Sequence, residues 1–155
     1  MKGFGESKNN INKGFSNLIE REISKKAIKF FKTGNFAESE KLFELYISKG
    51  FNDPEIFLHY SNLCEKLNKN NKAENLLKIA LQRKPTYLKA INNLVHILKK
   101  KGNLEEAKKI IKEKIAIIPN QSILYANLCK INLQEKNFNQ AEKLISKAIE
   151  LKPKQ

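Results

Sequence analysis

The segments NKNNKAENLLKIALQRKP (68–85), GNLEEAKKIIKEKIAIIP (102–119) and KNFNQAEKLISKAIELKP (136–153) are three variants of one pattern. Ala73, Ala107 and Ala141 recur at a spacing of 34 residues, and Pro85, Pro119 and Pro153 keep the same period. A fixed period in this range is the signature of a solenoid. Moving outward in that frame aligns Gly34, Asn68, Gly102 and Lys136 as turn positions, followed by Asn35, Lys69, Asn103 and Asn137. Each unit therefore reads as two helices joined by a short turn.

The apolar columns support the frame. Ile23, Phe57, Ile91 and Tyr125 share one column, and Ala27, Ser61, Val95 and Cys129 share another one helical turn later on the same face. Phe30, Cys64, Leu98 and Asn132 form a third, and the second helices align Phe43, Leu77, Ile111 and Ile145. The short side chains Ala73, Ala107 and Ala141 let two helices approach closely. Asp53 before Pro54 reads as an N-cap followed by proline in the first turn, and Pro85 and Pro119 stop the helices before them. Asn132 on an otherwise apolar column predicts loose packing of the last unit.

These residues resemble the tetratricopeptide repeat, with the helix-B alanine, the apolar residue four positions later and the closing proline in place. The resemblance covers Glu20 to Lys154, in units near 20–53, 54–87, 88–121 and 122–155. The first unit departs from the pattern at Ser39, in place of alanine, and at Phe51, in place of proline. The fold class expected is all-α: a right-handed α-solenoid of about four helix-turn-helix repeats over residues 16–155. Residues 1–15, polar and with Gly3, Gly5 and Gly14, are expected to form a flexible N-terminal arm.

Composition narrows the function. At 41% apolar and 30% charged residues the chain is globular, and no stretch reaches the roughly 18 apolar residues of a membrane span. A cytoplasmic protein is expected. Cys64 and Cys129 fall on apolar faces, where a thiol packs as a small hydrophobe. The motifs of phosphate loops, nucleophile elbows and zinc-binding helices do not occur, so neither catalysis, nor a cofactor, nor a metal is expected. The net charge of +14 suggests an anionic partner. Nearly all of it is lysine, with Arg21 and Arg83 the only arginines. Planar recognition of phosphate and base edges prefers arginine. Lysine abundant together with asparagine and isoleucine is expected of a coding sequence rich in A and T, so the alternative to an anion-binding role is charge on solvated faces that reflects codon bias.

The resemblance implies that the A helices line a concave groove that binds extended or helical segments of partners. It places inward Arg21, Ser24, Ile28, Phe31 and Lys32, then Glu55, Leu58, Asn62, Glu65 and Lys66, then Lys89, Asn92, His96, Lys99 and Lys100, and finally Ile123, Ala126, Lys130, Leu133 and Gln134. Members that clamp a C-terminal carboxylate need cations where this chain has Leu58, Ile123 and Asn127, so that mode is not expected. Members that hold a peptide backbone do so with a ladder of asparagines. The equivalent column here is Lys25, His59, Asn93 and Asn127. The candidate peptide-binding residues are Asn62, Lys89, Asn92, Asn93, His96, Lys99, Asn127 and Lys130. The expected role is that of a protein-protein interaction scaffold. The alternatives are an accessory domain of a transferase-type enzyme, as the resemblance allows, and an RNA or anionic-surface binder. Leu144, Ile145, Ile149 and Leu151 cannot all face the preceding unit, and a homodimer through the C-terminal end would cover them.

Overall fold

A computed structural model describes residues 4–152. The helices among them are α1 (Phe4–Lys32), α2 (Phe36–Ser48), α3 (Pro54–Lys66), α4 (Asn70–Arg83), α5 (Leu88–Lys100), α6 (Leu104–Ile117), α7 (Ser122–Gln134) and α8 (Phe138–Glu150). They form four helical hairpins, α1–α2 to α7–α8, each stacked on the next. No described helix is long and apolar enough to cross a membrane.

The turn column accounts for the hairpins. Gly34, Asn68, Gly102 and Lys136 have φ of 79°, 58°, 79° and 61°, the left-handed conformation that ends a helix. The next N–H then reaches back across the last turn: Asn35 to the Phe30 carbonyl, Lys69 to Cys64, Asn103 to Leu98 and Asn137 to Asn132, all at 2.8–2.9 Å. These bonds satisfy carbonyls that would otherwise be orphaned at the end of each A helix. Asp53 caps α3 by accepting from the Glu55 N–H at 2.8 Å, with Pro54 in the first turn.

The columns close into one core. Ala27, Phe43, Phe57, Leu77, Ile91, Val95, Leu98, Ala107 and Ile111 are all buried, and burial of such side chains contributes roughly 1.5–3 kcal/mol each. The irregularities of the first unit are accommodated locally. Ser39 is buried, and its hydroxyl donates to the Ala27 carbonyl at 2.9 Å. Phe51 packs its ring 5.2 Å from that of Tyr46. The Tyr46 hydroxyl donates to Glu20 at 2.6 Å and accepts from the Asp53 N–H, tying α1 to the start of the second unit.

Two expectations are corrected. Residues from Phe4 onward are helical, continuous with the first A helix, where a flexible arm was expected. Gly5 and Gly14 lower helix propensity by about 1 kcal/mol each but do not stop a helix as proline does. Phe15 is 66% exposed and Leu18 55% exposed. Asn132 does not loosen the last unit in the manner expected: it is buried, and its Nδ2 donates to the Leu128 carbonyl at 2.9 Å. A buried amide that is hydrogen-bonded escapes most of its desolvation cost.

Candidate functional site

Successive A helices touch, α1 with α3 and α5 with α7, whereas the B helices meet the next unit through its A helix. The A helices therefore line the inner side of the stack. Between α1, α3 and α5 lies a cavity of about 540 Å³ lined by Phe31, Asn62, Glu65, Lys66 and Lys100. Phe31, Glu65, Lys66 and Lys100 belong to the inward columns of the sequence but not to the eight candidate residues. Leu58, also expected to face inward, is instead buried in the core.

The candidate asparagines are joined in pairs from one unit to the next. Asn93 Nδ2 donates to Asn62 Oδ1 at 2.7 Å, and Asn127 Nδ2 donates to Asn92 Oδ1 at 2.7 Å. Each pair retains an amide nitrogen, on Asn62 or Asn92, and a carbonyl oxygen, on Asn93 or Asn127, that bond to no described residue. A donor and an acceptor side by side match the C=O and N–H of a peptide unit. Column alignment had placed Asn93 and Asn127 on one ladder. Their partners come from two different columns, Asn62 from that of His96 and Asn92 from that of Leu58, and the bonding depends on the angle at which the units pack.

The remaining candidates divide by position. His96 is exposed and lies 3.3 Å from Glu65 across the second junction. Lys99 is partly buried, and burial, with the charge of Lys130 adding to it, pushes its ammonium below the usual lysine range. Lys89, in the first turn of α5, is exposed and sits apart from that cluster, where its charge opposes protonation of His59. Burial is the main cause holding the His59 imidazole below the ordinary histidine range, with Glu55 3.9 Å away in partial opposition.

Glu65 and Glu55 lie beside His96 and His59, and other carboxylates are engaged at the opposite side of the junctions. Glu40 bonds Lys69 at 2.7 Å, Glu74 bonds Lys101 and Lys78 at 2.7 Å, and Lys108 bonds Glu135 at 2.8 Å, so each junction carries an ion pair at the B-helix side. Among the described residues, Lys66, Lys99, Lys100 and Lys130 have no carboxylate within ion-pair distance. Burial pushes the Cys64 thiol up to about 11, as befits a core residue rather than a reactive one.

Comparison with known proteins follows the same lines. One tetratricopeptide repeat model matches residues 65–129 and a second matches residues 123–155, together more than half of the chain. A protein of Aquifex aeolicus (strain VF5) is 39% identical over 70 residues, which is 45% of this chain and 9% of that protein. The chain thus spans less than a tenth of that relative's length. Among solved structures, a tetratricopeptide repeat protein from Parabacteroides merdae ATCC 43184 superposes with a TM-score of 0.79 at 16% identity, over 89% of this chain and 55% of that one. MamA from Desulfovibrio magneticus RS-1 gives 0.71 at 16% identity, over 87% and 76%. YrrB, described as a TPR protein with an unusual peptide-binding site, gives 0.66 at 19% identity, over 80% and 64%. At these identities the likeness is one of fold. The repeat models, the hairpin geometry and the 34-residue columns agree, and the chain belongs to the tetratricopeptide repeat family.

Proposed function

We propose that the chain is a protein-protein interaction scaffold whose inner face takes an extended, acidic segment of a partner. The observation that carries this reading is two pairs of lysines without an ion-pair partner among the described residues, Lys66 and Lys100 lining one cavity with Asn62, and Lys99 close enough to Lys130 to feel its charge. An acidic side chain would relieve the repulsion between Lys99 and Lys130, while the free donor and acceptor of each asparagine pair would hold the segment's backbone. His96 and Lys89 flank this path. No catalytic role or cofactor enters the proposal.

Selection of random peptides on the intact protein tests it. Enrichment of acidic sequences whose affinity falls as salt rises is expected. Enrichment of neutral or basic sequences would refute the acidic preference.

Two other readings have a specific observation in their favour. The net charge of +14 favours RNA or another anionic surface, and competition by RNA for the selected peptides would support it. The small share of the Aquifex protein that the chain spans favours an accessory unit within or beside a longer protein, transferase-type enzymes included. A second copy of this chain is the further partner we assign, at the C-terminal end of the stack.

A further inference from the structure

The residue that follows the helix-B alanine position carries a charge in every unit. Glu40 bonds Lys69, Glu74 bonds Lys101 and Lys108 bonds Glu135, each reaching into the next unit. Glu142 occupies the same position in the last hairpin and has no ion-pair partner among the described residues. The apolar column behaves alike. Phe43, Leu77 and Ile111 are buried by the following unit, whereas Ile145 is 42% exposed and Ile149 63% exposed. Beside Ile145, α7 and α8 form a largely apolar groove of about 470 Å³ whose lining includes Lys130, Leu133, Phe138, Glu142 and Ile145.

We propose that a second copy of the chain covers this groove, with α8 pairing antiparallel to α8 of the partner subunit about a two-fold axis. Glu142, Ile145, Ile149 and Lys152 follow one another at spacings of three, four and three residues, which places them on one stripe of a helix. The turn after Glu150 keeps helical geometry, with Leu151 in the right-handed region and the Lys152 N–H bonded to the Ile149 carbonyl at 3.1 Å. An antiparallel copy sets Ile145 opposite the partner subunit's Ile149. The same register sets Glu142 opposite the partner subunit's Lys152, and the two-fold repeats both contacts. The stripe is therefore complementary to itself in charge as well as in apolarity. Lys152 supplies to Glu142 what Lys101 supplies to Glu74 within the stack, and neither Glu142 nor Lys152 has another ion-pair partner among the described residues. Lys147, which would otherwise repel a basic neighbour, is bonded to Glu150 at 2.9 Å. This assigns a geometry to the self-association proposed above. Glu142, Ile149 and Lys152, the residues altered in its test, are not among those assigned to peptide binding, whereas Lys130 lines this groove and belongs to that set.

Sedimentation equilibrium of the full chain, from about 1 µM to high micromolar concentration, tests the pairing. The wild-type protein should approach the dimer mass, and Ile149→Glu should remain monomeric with unchanged helical circular dichroism. Glu142→Lys should weaken association by about tenfold, and adding Lys152→Glu to it should restore the affinity to within about threefold. A wild-type protein that stays monomeric overturns the proposal and leaves the face to a following segment or to a foreign helix. A dimer indifferent to Ile149→Glu, or a charge exchange that fails to restore affinity, overturns it as well.

Discussion

Lys108 meets Glu135 at 2.8 Å across the third junction, at the repeat position where, one unit earlier, Glu74 meets Lys101 at 2.7 Å. The contact is kept while its polarity is reversed. An interaction that survives exchange of both charges points to the pair, rather than either residue alone, as the thing that matters at the junction. Lys108→Glu should therefore destabilise the protein by about 1 kcal/mol, and Glu135→Lys added to it should recover most of that, with a coupling of roughly 0.5–1 kcal/mol. Urea denaturation of the four proteins of this cycle measures it. A coupling of zero would make the ion pair incidental.

Lys136 holds φ of 61° at a turn where Gly34 and Gly102 hold 79°. A side chain in that conformation costs roughly 1 kcal/mol, part of which glycine returns through its more flexible unfolded state. Lys136→Gly is expected to raise stability by about 0.5–1 kcal/mol. The converse change, Gly102→Ala, should lower it by about 1–2 kcal/mol through backbone strain alone, because a Cβ there would meet no atom within 4 Å. Thermal unfolding of both variants checks the pair, which should move in opposite directions.

The pH dependence follows from His59. Burial first, with Lys32 and Lys89 assisting and Glu55 opposing, lowers its pKa in the folded protein. As pH falls through about 6.5 the unfolded chain takes up the proton before the folded one does, so stability is full above that value and declines below it. Glu44 and Glu74 act lower. Lys72 bonds the first, and Lys101 and Lys78 outweigh the effect of burial on the second, so both carboxyls are depressed. Their contribution is present above about pH 4.5 and is lost as pH falls below it. His59→Gln should therefore flatten the urea midpoint between about pH 7 and pH 5.5 while leaving the steeper acid loss in place. An unchanged slope in the upper window would show that His59 is not its source.

The repeating features were legible because periodicity projects directly onto faces. Ala73 and Ala107, the turn at Gly102 and the buried column of Phe43, Leu77 and Ile111 all follow from a spacing of 34 residues. Contacts between columns were not legible. Whether Asn93 bonds Asn62, or Glu74 finds Lys101, depends on the angle between stacked units, which no single column encodes. The helix through Gly5 and Gly14 was missed because composition measures what a segment can bury, and α1 extends there with little burial near Phe15. The Ser39 bond to the Ala27 carbonyl shows how a departure from the repeat is absorbed by one local hydrogen bond.

Recognition through the inner face is tested most directly by fluorescence anisotropy of one selected acidic peptide against three proteins at a single ionic strength. These are the wild type, Lys99→Glu/Lys130→Glu, and Lys109→Glu/Lys112→Glu, the last altering the charge of the protein equally but on exposed residues of α6. Groove binding predicts that the Lys99/Lys130 variant loses affinity by about tenfold or more while the α6 variant changes by less than about threefold. Equal losses in the two variants would mean that overall charge, and not the groove, attracts the peptide, and would contradict the proposed function.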